Sequence, residues 1–141
     1  MKVSEWKTAL IDIDRASEFV GDDVDQYSKI VDLDENYEFL TVHVPTGMDS
    51  ATLTPYVQKG EKVTRAAGYF TPGSPAVVGD IPFPVHFFND ISADTDVIQS
   101  TIASTGGISI TFRIGGYQYI RIKASANQDP DVELSVRGFN R

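Results

Sequence analysis

The strongest constraint on the fold is an alternation with a period of two that runs through the last third of the chain. In Ile108-Ser109-Ile110-Thr111-Phe112-Arg113-Ile114 every second residue is a large hydrophobe and the residues between are polar. That pattern places one face in a core and the other in water, which a strand does and a helix does not. Gly115-Gly116 tolerates positive φ and is expected to connect a hairpin. The return strand is then Tyr117 to Ala124, with Ile120, Ile122 and Ala124 inward and Tyr119, Arg121 and Lys123 outward. After the turn formers Ser125 to Pro130, Val132, Leu134 and Val136 share one face, and Asp131, Glu133, Ser135 and Arg137 the other. Three strands with a single oily face cannot stand alone in water, so the rest of the chain is expected to cover them with a second layer.

The earlier residues continue in the same idiom. Strands are expected at about 8–13, 27–33, 37–44 (Leu40, Val42 and Val44 on one side) and 51–57, where Pro55 points to an edge or a bulge. Asp34-Glu35-Asn36 reads as a turn between the second and third of these, and Ala16 to Phe19 as at most one helical turn. The stretch 58–80, rich in Gly and Pro, reads as an extended loop or docking arm with a weak strand near 63–67. Pro82 to Phe88 is a strand candidate, and Val97 to Ala103 is either a strand or a helical turn. Short strands separated by turn signals every 8–12 residues imply an all-β, antiparallel β-sandwich, jelly-roll-like, in one domain spanning 1–141.

Composition narrows the chemistry. None of the 141 residues is cysteine, which removes disulfides, thiolate metal sites and thiol catalysis. The first six residues lack the apolar core of an export signal, and no run approaches the ~20 apolar residues of a membrane span, so a soluble protein made without Sec export is expected. A net charge of −8 argues against nucleic-acid binding. The charge is lopsided: residues 1–38 carry 11 acids against 4 bases (net −7), and residues 107–141 carry 5 bases against 3 acids (net +2). Such a protomer suits head-to-tail contact or docking on an oppositely charged partner; the plainer reading is an acidic face that keeps the protein soluble.

No constellation for catalysis emerges. The two histidines, His43 and His86, each lie inside an expected strand, in register to face outward, and no Gly-x-Ser-x-Gly elbow is present. The acidic groups Asp22/Asp23/Asp25, Asp32/Asp34/Glu35 and Asp94/Asp96 lack the glycine and distal glutamate of a calcium loop. Twenty acids on a small β-protein make chance carboxylate pairs common, so such pairs carry no weight for glycoside hydrolysis. Gly106-Gly107 and Gly115-Gly116 lack the helix and lysine of a phosphate loop. No catalytic residue, cofactor or metal is therefore expected. The aromatics Tyr37, Tyr56, Tyr117 and Tyr119 remain, Tyr119 beside Arg121. Tyr56, Tyr117, Tyr119 and Arg121 are taken as candidate interface residues, because Tyr and Arg are enriched in buried protein contacts. A sugar-stacking platform is the alternative use of the same side chains.

The layout also resembles a known group of proteins. Leu40-Thr41-Val42-His43-Val44-Pro45, then Asp49 to Gln58, Gly115 to Ser125 and Asp131 to Phe139, are similar to stretches of the small β-sandwich structural proteins of tailed bacteriophages, the capsid decoration (cement) type. The likeness covers roughly residues 8–139, leaves 58–80 unaligned, and is shared in part by discoidin-like and carbohydrate-binding sandwiches. It implies a non-enzymatic virion protein on the capsid exterior, present in the host cytoplasm during assembly. The implied partners are the major capsid protein or other virion proteins and further copies of itself as a dimer or trimer, with no nucleic acid and no membrane. A tail, receptor-binding or carbohydrate-binding module is the alternative.

Overall fold

A computed structural model of the chain describes residues 1–11, 27–60, 83–89, 95–98, 101–126, 128 and 131–141. Among these lie ten strands and no helix: β1 (Lys2–Val3), β2 (Lys7–Ile11), β3 (Val31–Val44), β4 (Ala51–Gln58), β5 (Phe83–Pro84), β6 (His86–Asn89), β7 (Thr95–Ile98), β8 (Thr101–Ser104), β9 (Ile108–Ala124) and β10 (Val132–Asn140). Eight of them form one antiparallel sheet in the order β1-β10-β3-β9-β4-β5, with β2 also along β10 and β8 also along β4; β6 and β7 pair separately. The all-β antiparallel class expected from the sequence is the class adopted. The described strands trace a curled sheet, a half-barrel, without establishing the two separate layers of a jelly roll.

The curl originates in two long strands that bend together. Gly115-Gly116 does not reverse the chain: 108–124 is one strand, and the expected hairpin and three-stranded meander do not form. Asp34-Glu35-Asn36, expected as a turn, lies likewise inside the single strand β3. Between the pairs Asp32/Tyr119 and Tyr37/Tyr117, β3 carries four residues and β9 one; between Tyr37/Tyr117 and Phe39/Arg113, β3 carries one and β9 three. The extra residues are accommodated by positive φ at Asp34 (71°), Gly115 (78°) and Gly116 (92°). Unequal residue counts on paired strands bend both and sharpen their twist, as β-bulges do. The glycines bend the strand instead of turning it because each arm finds a better partner than the other arm. Residues 108–113 pair with the end of β3, and 119–124 with β4.

Past this corner the sheet comes back on itself. Ser28 N–H donates to the Ile122 carbonyl at 2.8 Å and Lys29 N–H to the Leu10 carbonyl at 2.7 Å, so residues 27–29 sit between the ends of β9 and β2. The enclosed face holds the core, in which Ile11, Leu33, Leu40, Leu53, Phe112, Ile114, Ile120, Ile122 and Leu134 are almost fully buried. Each such side chain contributes about 1.5–3 kcal/mol relative to exposure. The alternation expected for Leu40/Val42/Val44, Ile110/Phe112/Ile114 and Val132/Leu134/Val136 is the one observed.

Pro55 sits where its missing N–H is harmless. β8 pairs with β4 only up to Leu53 and β5 only from Tyr56. The Pro55 carbonyl, which points to that same side, accepts from Val85 N–H at 3.3 Å. The expectations for 12–26 and 61–80, including the helical turn at 16–19, the strand near 63–67 and the body of the docking arm, fall outside the described residues. Val97 to Ala103 contains the ends of two strands, β7 and β8, in place of one element.

Candidate functional site

Three of the four residues singled out from the sequence are neighbours, Tyr56 opposite Arg121 and Tyr119 two places along β9, and Tyr117 stands apart at the corner. Tyr117 pairs with Tyr37 at the corner and is 38% exposed. Tyr119, half-buried, lies opposite Asp32 and Gln58. Tyr56 pairs with Arg121 across β4 and β9, and its ring meets Tyr27 edge-on with centroids 5.2 Å apart; Lys123 lies over the Tyr27 ring at 5.0 Å.

Arg121 was expected to face water and is instead 0% exposed. Its Nε donates to Gln58 Oε1 at 3.0 Å and one terminal nitrogen to the Ser28 carbonyl at 3.1 Å. Gln58 in turn donates to the Gly60 carbonyl at 2.7 Å, and the Ser28 hydroxyl oxygen accepts from Ile122 N–H at 2.9 Å. Strand alternation predicts which face a residue takes, not whether that face stays wet. Around residues 120–122 both faces of β9 are covered, and the guanidinium joins the 27–29 segment to the end of β4. It is a fastener and unavailable to a partner.

A second buried polar group works the same way. Gln128, 0% exposed, accepts from Asp49 N–H at 2.9 Å and donates to the carbonyls of Asp49 (3.1 Å) and Ala126 (3.0 Å). It ties the loop after β3 to the loop before β10. Beside it a recess of about 500 Å³ opens between Pro45 to Met48 and Asp131 to Glu133. Among the described residues no three His, Asp or Glu side chains gather as metal ligands.

The exposed chemistry lies on the convex face of β10 and β3, which sequence reasoning overlooked. Ser4-Glu5-Trp6 opposes only Arg137-Gly138, one residue more on the N-terminal side. Ser4 bridges the irregularity: its N–H donates to the Gly138 carbonyl at 2.8 Å, and its hydroxyl oxygen accepts from Gly138 N–H at 2.9 Å. This bulge sets Trp6 over the sheet. Its ring lies 4.5 Å from the Arg137 guanidinium and 4.4 Å from the His43 ring, and it remains 43% exposed. His43 thus faces outward as expected; the His86 side chain falls outside the described residues.

One row further along, Val3 (46% exposed) pairs with Phe139, which stacks on Phe39 at 5.1 Å, and Arg141 lies 5.0 Å from the Phe39 ring. Phe39 in turn pairs with Arg113, whose guanidinium meets Glu38 at 3.2 Å. The available signal was parity: Phe39 and Phe139 are aromatics at outward positions of otherwise well-alternating strands. Aromatic rings carrying arginines on a rigid sheet are the ingredients of a protein-contact anchor. Comparison with family models, with curated proteins and with solved structures finds no match to this chain.

Proposed function

We propose that this chain is a non-enzymatic structural protein of a bacteriophage virion, a decoration (cement) protein that docks on the major capsid lattice in many copies. The observation that supports the reading is the convex aromatic–arginine face of β10 and β3, with Phe39, Phe139 and Arg137 held on paired strands and Trp6 and Arg141 laid against them. A sheet bent by matched bulges and fastened internally by Arg121 and Gln128 presents that face without losing conformational entropy on contact, which favours binding. Modest contacts per copy become tenacious when a lattice repeats them and copies engage together. On this reading the chain folds in the host cytoplasm and ends on the capsid exterior, with major capsid subunits as its neighbours.

The test is co-sedimentation of the purified chain with expanded phage capsids, followed by thermal challenge of the particles. Saturable, stoichiometric binding with a raised disruption temperature is the expected result. No binding to particles, together with a hit on a glycan array, would replace the proposal with a carbohydrate-binding module.

A further inference from the structure

We infer that the convex face of β10 and β3 recognises a carboxylate-bearing surface of a partner protein. The inference rests on the docking reading above and adds the partner's chemistry. The centre of the patch is apolar, built from Val3, Phe139 and Phe39 in one row across β1, β10 and β3, with Trp6 from the bulge between β1 and β2 beside them. Its cations are arginines. Arg137 and Arg141 lie against aromatic rings, and Arg137 Nε is sequestered from water with no hydrogen-bond partner among the described residues. A guanidinium resting on a ring is prepaid in rotamer entropy, and its two terminal nitrogens, rather than the buried Nε edge, suit bidentate capture of a carboxylate. The carboxylate bonded within the patch, Glu38, serves Arg113. Glu133 projects from the same side of β10, two side-chain positions beyond Arg137.

The charge disfavours two other occupants. In a two-fold dimer with its axis through this patch, Arg137 and Arg141 would be gathered near their copies, and like charges brought together across an interface cost affinity. Nucleic acid carries a charge at every phosphate along its length, and a patch holding only a few arginines neutralises few of them. A partner that is apolar at its centre and acidic around it satisfies both the rings and the guanidinium edges.

Trp6 is the only tryptophan and therefore reports from inside the patch. The full chain is titrated with the acidic peptide (Glu-Gly)8 and with its glutamine counterpart, following Trp6 emission at low and at moderate salt. The expected result is a saturable change with the glutamate peptide alone, weakened by salt, with the midpoint raised at least tenfold in R137Q/R141Q and by a smaller factor in R137K, which keeps the charge and loses the fork. No response, or an equal response to the glutamine peptide or in R137Q/R141Q, overturns the inference. The capsid assay separates it from the function proposed above. If R137Q/R141Q sediments with particles as well as the parent does, the face is wrong and the docking role stands. If the parent binds the acidic peptide but no particle, the face stands and the docking role falls. Sedimentation velocity of the chain alone supplies the last arm: self-association abolished by R137Q/R141Q would make the occupant a second copy and sink the heterologous partner.

Discussion

Gly138 on β10 directs its missing side chain at Tyr37, and that contact can be tested quantitatively. A Cβ at 138 would stand 2.6 Å from both Cγ and Cδ2 of the Tyr37 ring and 2.9 Å from its Cβ, against 3.4–4 Å for an ordinary contact. The ring is 3% exposed, so it cannot swing into water, and its hydroxyl reaches Glu35 Oε2 at 3.5 Å. G138A therefore forces a buried aromatic back by about 1 Å at the corner where β3 and β9 bend, an overpacking of the kind that costs about 1–3 kcal/mol. At this chain length each kcal/mol lowers Tm by roughly 3–4 °C. The decisive experiment is a double-mutant cycle. Y37A alone removes the ring and costs about 3–5 kcal/mol. In that background the 138 methyl has room, and alanine is better than glycine in a strand by about 0.5–1 kcal/mol, so G138A becomes neutral or mildly stabilising. Urea midpoints and slopes for the four proteins give the coupling. Equal costs for G138A with and without the Tyr37 ring would refute the steric account.

Three further outcomes follow from the internal fastenings and the ion pairs. R121A strands the Gln58 amide oxygen and the Ser28 carbonyl and empties a buried volume, so about 2–4 kcal/mol is lost in urea denaturation; R121M, which refills the volume, loses markedly less, and equal losses would mean the stem contributes nothing. Q128A releases the loop after β3 and costs about 1–3 kcal/mol, read as faster hydrogen exchange at the Asp49 amide, with unchanged exchange counting against the latch. The pKa values of Lys2 and Lys7 are raised, each chiefly by a side-chain hydrogen bond, to Glu35 and to Asp34 respectively. The folded state then holds these protons more tightly, so the stabilisation is full below about pH 10.4, the unfolded value, and fades as pH rises through the folded values. The gap in urea midpoint between the parent and K2Q/K7Q should hold at pH 8 and narrow only above the unfolded value of about 10.4; a constant gap above it would contradict the linkage.

What alternation could report, it reported well: Leu40/Val42/Val44, Ile110/Phe112/Ile114 and Val132/Leu134/Val136 are buried because side chains on a strand alternate and water sorts them. Topology was less legible for a physical reason. Gly115-Gly116 and Asp34-Glu35-Asn36 carry the chemistry of turns, and positive φ serves a reversal and a kink equally well. The choice between them depends on which distant strand competes for the arms. Here β3 takes residues 108–113 of β9 and β4 takes 119–124, partners 61 to 74 residues away in sequence.

The same limit explains the misplaced site. Period two put Arg121 opposite Ile120 and Ile122, correctly, but said nothing of Gln58 and Ser28 arriving from other strands to cover it. Trp6 was hidden for the complementary reason: it lies outside any alternating run, in a bulge that exists only because Ser4 supplies a hydroxyl where the ladder slips. The two errors meet at the corner of β3 and β9, where Tyr37 packs on Gly138, the residue that Ser4 bonds. By bending the sheet until the 27–29 segment meets Ile122, the corner covers the cation on the outer face of β9 and leaves the arginines of β10 uncovered. A corner straightened by replacing Gly115 and Gly116 with β-branched residues should therefore weaken burial of Arg121 and presentation of Trp6 together. Loss of either one alone would show that the two faces are set independently.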